Sequence, residues 1–184
     1  MEHAREAIRL DSRLWIGYMQ LAQAYEQTGQ TELALELLGD AARLSGGNSK
    51  ALSLRGYILA RTGRAAEARA VLKALEGTAE HQYVPPFAMA LVHAGLNEPD
   101  AAFAWLDKAF AAHDMRLIYL TVDPKWDPYR ADPRFKALLA RCRFIVDTKA
   151  RRRTEVAAWP ASGRPENERA RGNHKQSRAQ IARL

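Results

Sequence analysis

The chain has 184 residues, 28 Lys or Arg against 21 Asp or Glu, and a hydrophobic fraction of 47%. That suits one globular domain with or without a tail, and excludes collagen-like, mucin-like and wholly disordered classes. The net charge of +7 lies in residues 149–184, which hold ten basic and three acidic side chains, whereas residues 1–148 hold 18 of each sign and are neutral.

Residues 2–10 (EHAREAIRL) place Ala4, Ala7, Ile8 and Leu10 on one helical stripe and read as the second half of a preceding repeat. Asp11-Ser12 precedes a helix over 13–28, which Gly29 ends. Thr31 is expected to cap a helix over 32–44, closed by Gly46-Gly47. Asn48-Ser49 starts 50–62, which stops at Gly63, and 65–76 is expected to stop at Gly77. Pro85-Pro86 starts the next helix, since proline is accepted in a first turn, and Glu98-Pro99-Asp100 starts another over about 99–113. Asp123-Pro124, Asp127-Pro128 and Asp132-Pro133 then recur, each read as an N-cap followed by proline.

Several positions repeat at a spacing of 34: Ala34, Ala68 and Ala102; Leu38, Leu72 and Leu106; Ala22, Gly56 and Ala90; Gly29, Gly63 and Asn97. Small residues at a fixed period permit close helix crossing, and the leucines fill the layer between helix pairs. The run Tyr18-x-x-Leu21-Ala22-x-x-Tyr25, then Gly29, Ala34, Leu38 and Ala41, resembles the tetratricopeptide repeat. Departures from that pattern are Gly46 where proline is usual, Leu59 and His93 where an aromatic is usual, and Pro86 early in the third unit. The resemblance implies an all-α, right-handed helical solenoid. It divides the chain into the half-repeat 1–10, three repeats over 11–46, 47–80 and 81–114, a helical closing segment over 115–147, and a basic disordered tail over 148–184. The last repeat and the run DMRLIYLTVDPKWDPYRADPRFKALLARCRF resemble the end of bacterial tetratricopeptide arrays that follow winged-helix regulators, class III adenylate cyclases and Ser/Thr kinases.

No residue pattern points to catalysis, a cofactor or a metal. The histidines at 3, 81, 93, 113 and 174 are scattered, and no Cys/His pair has zinc spacing. Gly46-Gly47 is followed by no Lys-Ser/Thr and so makes no phosphate loop. His93 is expected half-buried, and Cys142 is expected on the apolar face of the last helix. Phe103, Trp105, Trp126 and Phe135 read as an aromatic seal over the last repeat. The single cysteine, the charged N-terminal residues Glu2, Arg5, Glu6 and Arg9, and the lack of a long apolar run favour a reducing cytoplasm and no membrane partner.

The resemblance implies a concave groove lined by the first helix of each pair. Its positions carried onto this chain are Ile16, Met19, Gln23, Glu26, Lys50, Ser53, Tyr57, Arg61, Phe87 and Leu91. An apolar protein or peptide segment fits that surface, with Lys50 and Arg61 selecting an acidic neighbour. A groove filled by the chain's own next helix or tail is the alternative occupant. The family's cationic clamp for acidic C-terminal tails is largely absent, because Met19, Gln23, Leu54, Val84 and Phe87 stand at or beside its places. The expected function is a non-enzymatic protein–protein interaction module. The alternative is the C-terminal regulatory part of a larger bacterial signalling protein, whose N-terminal domain would be the partner. Arg151-Arg152-Arg153 in the tail adds at most weak nucleic-acid contact.

Overall fold

A computed structural model describes residues 1–143. The tail expected at 148–184 and the end of the closing segment, 144–147, lie outside the described residues. The described chain is all-α: α1 (Glu2–Leu10), α2 (Trp15–Gln27), α3 (Thr31–Leu44), α4 (Ser49–Arg61), α5 (Ala65–Ala79), α6 (Pro86–Gly95) and α7 (Pro99–Ala111) follow one another. Two 3-10 segments (Met115–Thr121 and Pro124–Tyr129) and α8 (Pro133–Arg141) close it. Helices pair as antiparallel hairpins, α2 with α3, α4 with α5 and α6 with α7, and successive hairpins stack through α3 on α4 and α4 on α6. This is the solenoid that the 34-residue period predicts.

Why the chain turns where it does is visible at the end of each first helix. Gln30 N–H donates to Tyr25 O at 2.9 Å, Arg64 N–H to Leu59 O at 2.9 Å and Glu98 N–H to His93 O at 3.0 Å. Each six-to-one bond needs a left-handed residue just before its donor, and Gly29 (φ 76°), Gly63 (φ 82°) and Asn97 (φ 57°) supply it. Asn serves in the third place because its short polar side chain tolerates that region.

The small residues do what their period predicts. Ala22, Ala34, Ala41, Ala68, Ala90 and Ala109 are wholly buried. A Cβ on Gly56 would stand 2.8 Å from Val92 and 3.1 Å from Val71, so α4 meets its neighbours at a distance only glycine permits. Gly95 is a second such point, since a Cβ there would meet Tyr57 O at 2.9 Å.

Three local expectations are corrected. Helix α5 runs through Gly77 to Ala79, because Gly77 keeps a right-handed backbone and ends nothing. Thr31 is the first helical residue of α3, with Gln30 at the cap position and no side-chain cap bond. Asp127 is not a cap: it lies inside the second 3-10 segment and pairs with Arg130 at 2.5 Å. The other two Asp-Pro pairs behave as expected, Asp123 accepting from Lys125 N–H at 3.0 Å and Asp132 from Arg134 N–H at 2.8 Å.

The closing segment continues the period in altered form. Arg134 pairs with Asp100 at 2.6 Å and Arg141 with Asp107 at 2.5 Å, both across 34 residues. Helix α8 therefore stands where the second helix of a fourth unit would stand. Where the first helix would be, Pro124 and Pro128 remove backbone donors and the chain forms the two 3-10 segments instead.

The segment is held by aromatic packing. Trp126 is 1% exposed, edge-on to Phe87 with centroids 5.5 Å apart and stacked near Phe135 at 6.4 Å. Tyr129 meets Phe103 at 5.8 Å and donates its hydroxyl to Ala94 O at 2.9 Å. Trp105 stands outside this cluster, half-buried under Lys108 Nζ at 3.8 Å. Cys142 is the C-cap of α8, half-buried, with its thiol pKa pushed up by burial, which keeps it a packing residue.

His93 is half-buried, and its Nδ1 lies 2.8 Å from Glu98 Oε2, while Arg69 reaches Glu98 Oε1 at 2.5 Å. These bonds, His93 foremost, hold the Glu98 carboxyl below its usual 4.5. A depressed carboxyl contributes stability above its unfolded pKa and loses it as pH falls through the folded value. Glu98→Gln is therefore expected to flatten the fall in melting midpoint below about pH 4.5, measured by circular dichroism from pH 7 to pH 3. An acid limb identical to that of the parent chain would contradict the linkage.

Candidate partner-binding groove

A cavity of about 240 Å³ lies between the first helices of the three hairpins and the 3-10 segments. Met19, Gln20 and Gln23 come from α2, and Lys50, Ser53 and Leu54 from α4. Phe87 and Leu91 come from α6, and Arg116, Tyr119, Asp123 and Lys125 from the 3-10 segments. Each of the three hairpins thus contributes through its first helix, whose side chains recur along the inner face.

Of the ten expected groove positions, Met19, Gln23, Lys50, Ser53, Phe87 and Leu91 come together around this cavity. Ile16, Glu26, Tyr57 and Arg61 do not line it. Ile16 is 41% exposed at the N-terminal end of α2. Tyr57 is buried, with Lys125 Nζ 5.8 Å above its ring. Burial pushes the Tyr57 hydroxyl up to about 12, against an opposing influence from Arg61, so it is a neutral phenol at any ordinary pH.

The floor is apolar and preformed. Met19, Leu54, Phe87 and Leu91 are all under 9% exposed. Phe87 is fixed three ways: its N–H donates to Asp114 Oδ2 at 3.2 Å, its ring packs on Trp126, and the Arg116 guanidinium sits 5.5 Å over its face. Asp114 is itself buried and also accepts from Arg116 N–H at 3.0 Å, so one carboxylate joins the start of α6 to the start of the closing segment. Arg116 further donates to Pro85 O at 3.3 Å. The rim is polar, with Lys50 exposed on one side and Lys125 paired to Asp123 at 3.3 Å on the other.

Reasoning from the repeat alone misses the wall made by Arg116, Tyr119, Asp123 and Lys125. A signal for it exists. Adding one more period of 34 to Gln23, Tyr57 and Leu91 lands on Lys125. The prolines that break the helix hide this continuation.

The hairpin stacking, the periodic alanines and the three matched helix ends define an array of helix–turn–helix repeats. The chain belongs to the tetratricopeptide repeat family, whose model matches residues 2–120. No curated protein and no solved structure gives a significant match. Repeats of this family mediate protein–protein contact and are not themselves catalytic. Among the described residues, no three His, Cys, Asp or Glu side chains group as a metal site, and no helix is long and apolar enough to cross a membrane.

Proposed function

We propose that this protein is a non-enzymatic interaction module that holds a segment of a partner protein in its concave groove. The observation that carries the reading is the cavity itself: an apolar floor of Met19, Leu54, Phe87 and Leu91 under a polar rim, built by consecutive repeats. Such a floor accepts an apolar side chain, and the rim fixes the direction of the chain that carries it. A single cysteine, which can form no internal disulfide, favours action in a reducing compartment such as the cytoplasm.

The test is site-specific photocrosslinking in the source cells. A photoreactive phenylalanine analogue at Gln23, in the groove, is expected to yield a discrete adduct with another protein. The same analogue at Lys73, exposed on α5, is expected to yield none. Equal adducts at both positions, or none at Gln23, would overturn the reading.

The closing run with its three Asp-Pro pairs favours a second reading, in which the array regulates a larger bacterial signalling protein. An immunoblot against residues 13–113 separates the two. A native band near 20.6 kDa supports the independent module, and a much larger band supports the regulatory segment.

A further inference from the structure

The first 3-10 segment buries Leu117 and Leu120, at 6% and 0% exposure, and turns its other apolar side chains outward. Met115 is 82% exposed, Ile118 52%, Tyr119 42% and Val122 70%. In a 3-10 helix residues three apart eclipse one another, so Met115 and Ile118 form one ridge, with Tyr119 and Val122 three apart beside it. Tyr119 also lines the cavity, so the ridge runs into the groove without a polar break at that residue. Isolated exposed apolar residues need no explanation, but a ridge continuous with an apolar cavity marks an interaction surface.

We propose that the ridge of Met115, Ile118 and Val122 is the second half of the binding groove, and that its occupant is a partner segment in which acidic side chains alternate with bulky apolar ones. This rests on the groove reading above and extends it beyond the repeats, to a surface made by the proline-broken fourth unit.

Charge selects that occupant. Arg116 and Lys125 are held by Asp114 and Asp123, which leaves Lys50 as the rim cation with no ion pair among the described residues. A carboxylate of the partner meets Lys50, one apolar side chain enters the cavity, and the next lies on Ile118 and Val122. The same charges count against the chain's own residues 149–184, whose ten basic and three acidic side chains would be repelled by Lys50. A second copy offers no comparable attraction, since residues 1–148 are electrically neutral.

A random dodecapeptide phage library panned on the immobilised full chain tests this. Enriched peptides are then synthesised with a fluorescein label, and their binding is measured by anisotropy. The expected result is enrichment of Asp or Glu within a few positions of Leu, Ile, Phe or Trp. Both Lys50→Glu and the Ile118→Ser/Val122→Ser double variant are expected to weaken the selected peptides at least about tenfold. All of these substituted positions are exposed, and unchanged melting curves check that the variants fold. Weakening by Lys50→Glu alone overturns the ridge and leaves the groove reading standing. Insensitivity to both variants, or no enrichment, overturns both. Enrichment of Lys- or Arg-rich peptides overturns the assignment of an acidic partner. A dimer in sedimentation velocity that Ile118→Ser/Val122→Ser dissociates would give the ridge to a second copy and overturn the proposal.

Discussion

Trp126→Ala is expected to lower the melting midpoint by about 10 °C, from a loss of about 3–5 kcal/mol at roughly 3 °C per kcal/mol for a folded unit of this size. The side chain is 1% exposed and lies among Phe87, Tyr129 and Phe135, with centroids 5.5, 6.0 and 6.4 Å away. Truncation therefore removes its own buried area and leaves three rings facing a void. The effect spreads because Phe87 forms part of the cavity floor and Tyr129 anchors the closing segment to Ala94. Trp126→Phe is the informative control. The indole Nε1 is buried without a hydrogen-bond partner among the described residues, and an unpaired donor of that kind costs about 1–3 kcal/mol. Phenylalanine removes that donor while keeping most of the contact, so its net cost is expected to stay within about 2 kcal/mol of zero. Thermal denaturation followed by circular dichroism separates the two. A midpoint for Trp126→Ala within about 2 °C of the parent chain would mean that the closing segment does not stabilise the array.

The pattern of effects follows from what is local and what is not. The repeat was legible in the sequence because each of its demands falls on one residue type at one spacing. Close crossing demands Ala or Gly at 22, 56 and 90, and a left-handed turn demands Gly or Asn at 29, 63 and 97. Helix stops that depend on fewer constraints were less legible. Gly77 resembles the other stop signals in composition, yet no left-handed turn forms there and α5 continues. Thr31 looks like a cap, yet the chain has already turned at Gly29 and Thr31 enters the helix.

The groove was legible in part for the same reason. Positions carried by α2, α4 and α6 follow the period, and six of the ten, two from each helix, line the cavity. Its remaining wall depends on tertiary contacts between residues 27 to 35 apart that no local pattern encodes. Asp114 caps the start of α6 through Phe87 N–H, and Tyr129 reaches Ala94 O. Such contacts decide that the closing segment turns inward to flank the groove and that Lys125 covers Tyr57. A period read from helices alone stops at Pro124, where the backbone changes type although the spacing of 34 persists in Asp100–Arg134 and Asp107–Arg141.

Ala34→Glu is expected to have the largest effect of any single substitution in the first repeat. Ala34 has no exposed surface and lies in α3 where that helix packs on α2. Adding four heavy atoms beyond Cβ, three of them a terminal carboxylate, forces the helices apart, at about 1–3 kcal/mol for overpacking alone. The carboxylate must then be buried unpaired or take up a proton, and removing an unpaired charge from water adds several kcal/mol more. Together these approach the whole stability of a typical domain, which is about 5–15 kcal/mol. The expected outcome is a chain whose α2–α3 hairpin is open at room temperature, seen as a loss of amide hydrogen-exchange protection over 15–44. Ala34→Ser separates size and charge from position. Its hydroxyl can donate to a carbonyl one turn back, so it is expected to cost only about 1 kcal/mol. If Ala34→Glu instead melted within a degree of the parent chain, Ala34 could not lie at a close helix crossing. The small-residue period would then have to arise from something other than packing.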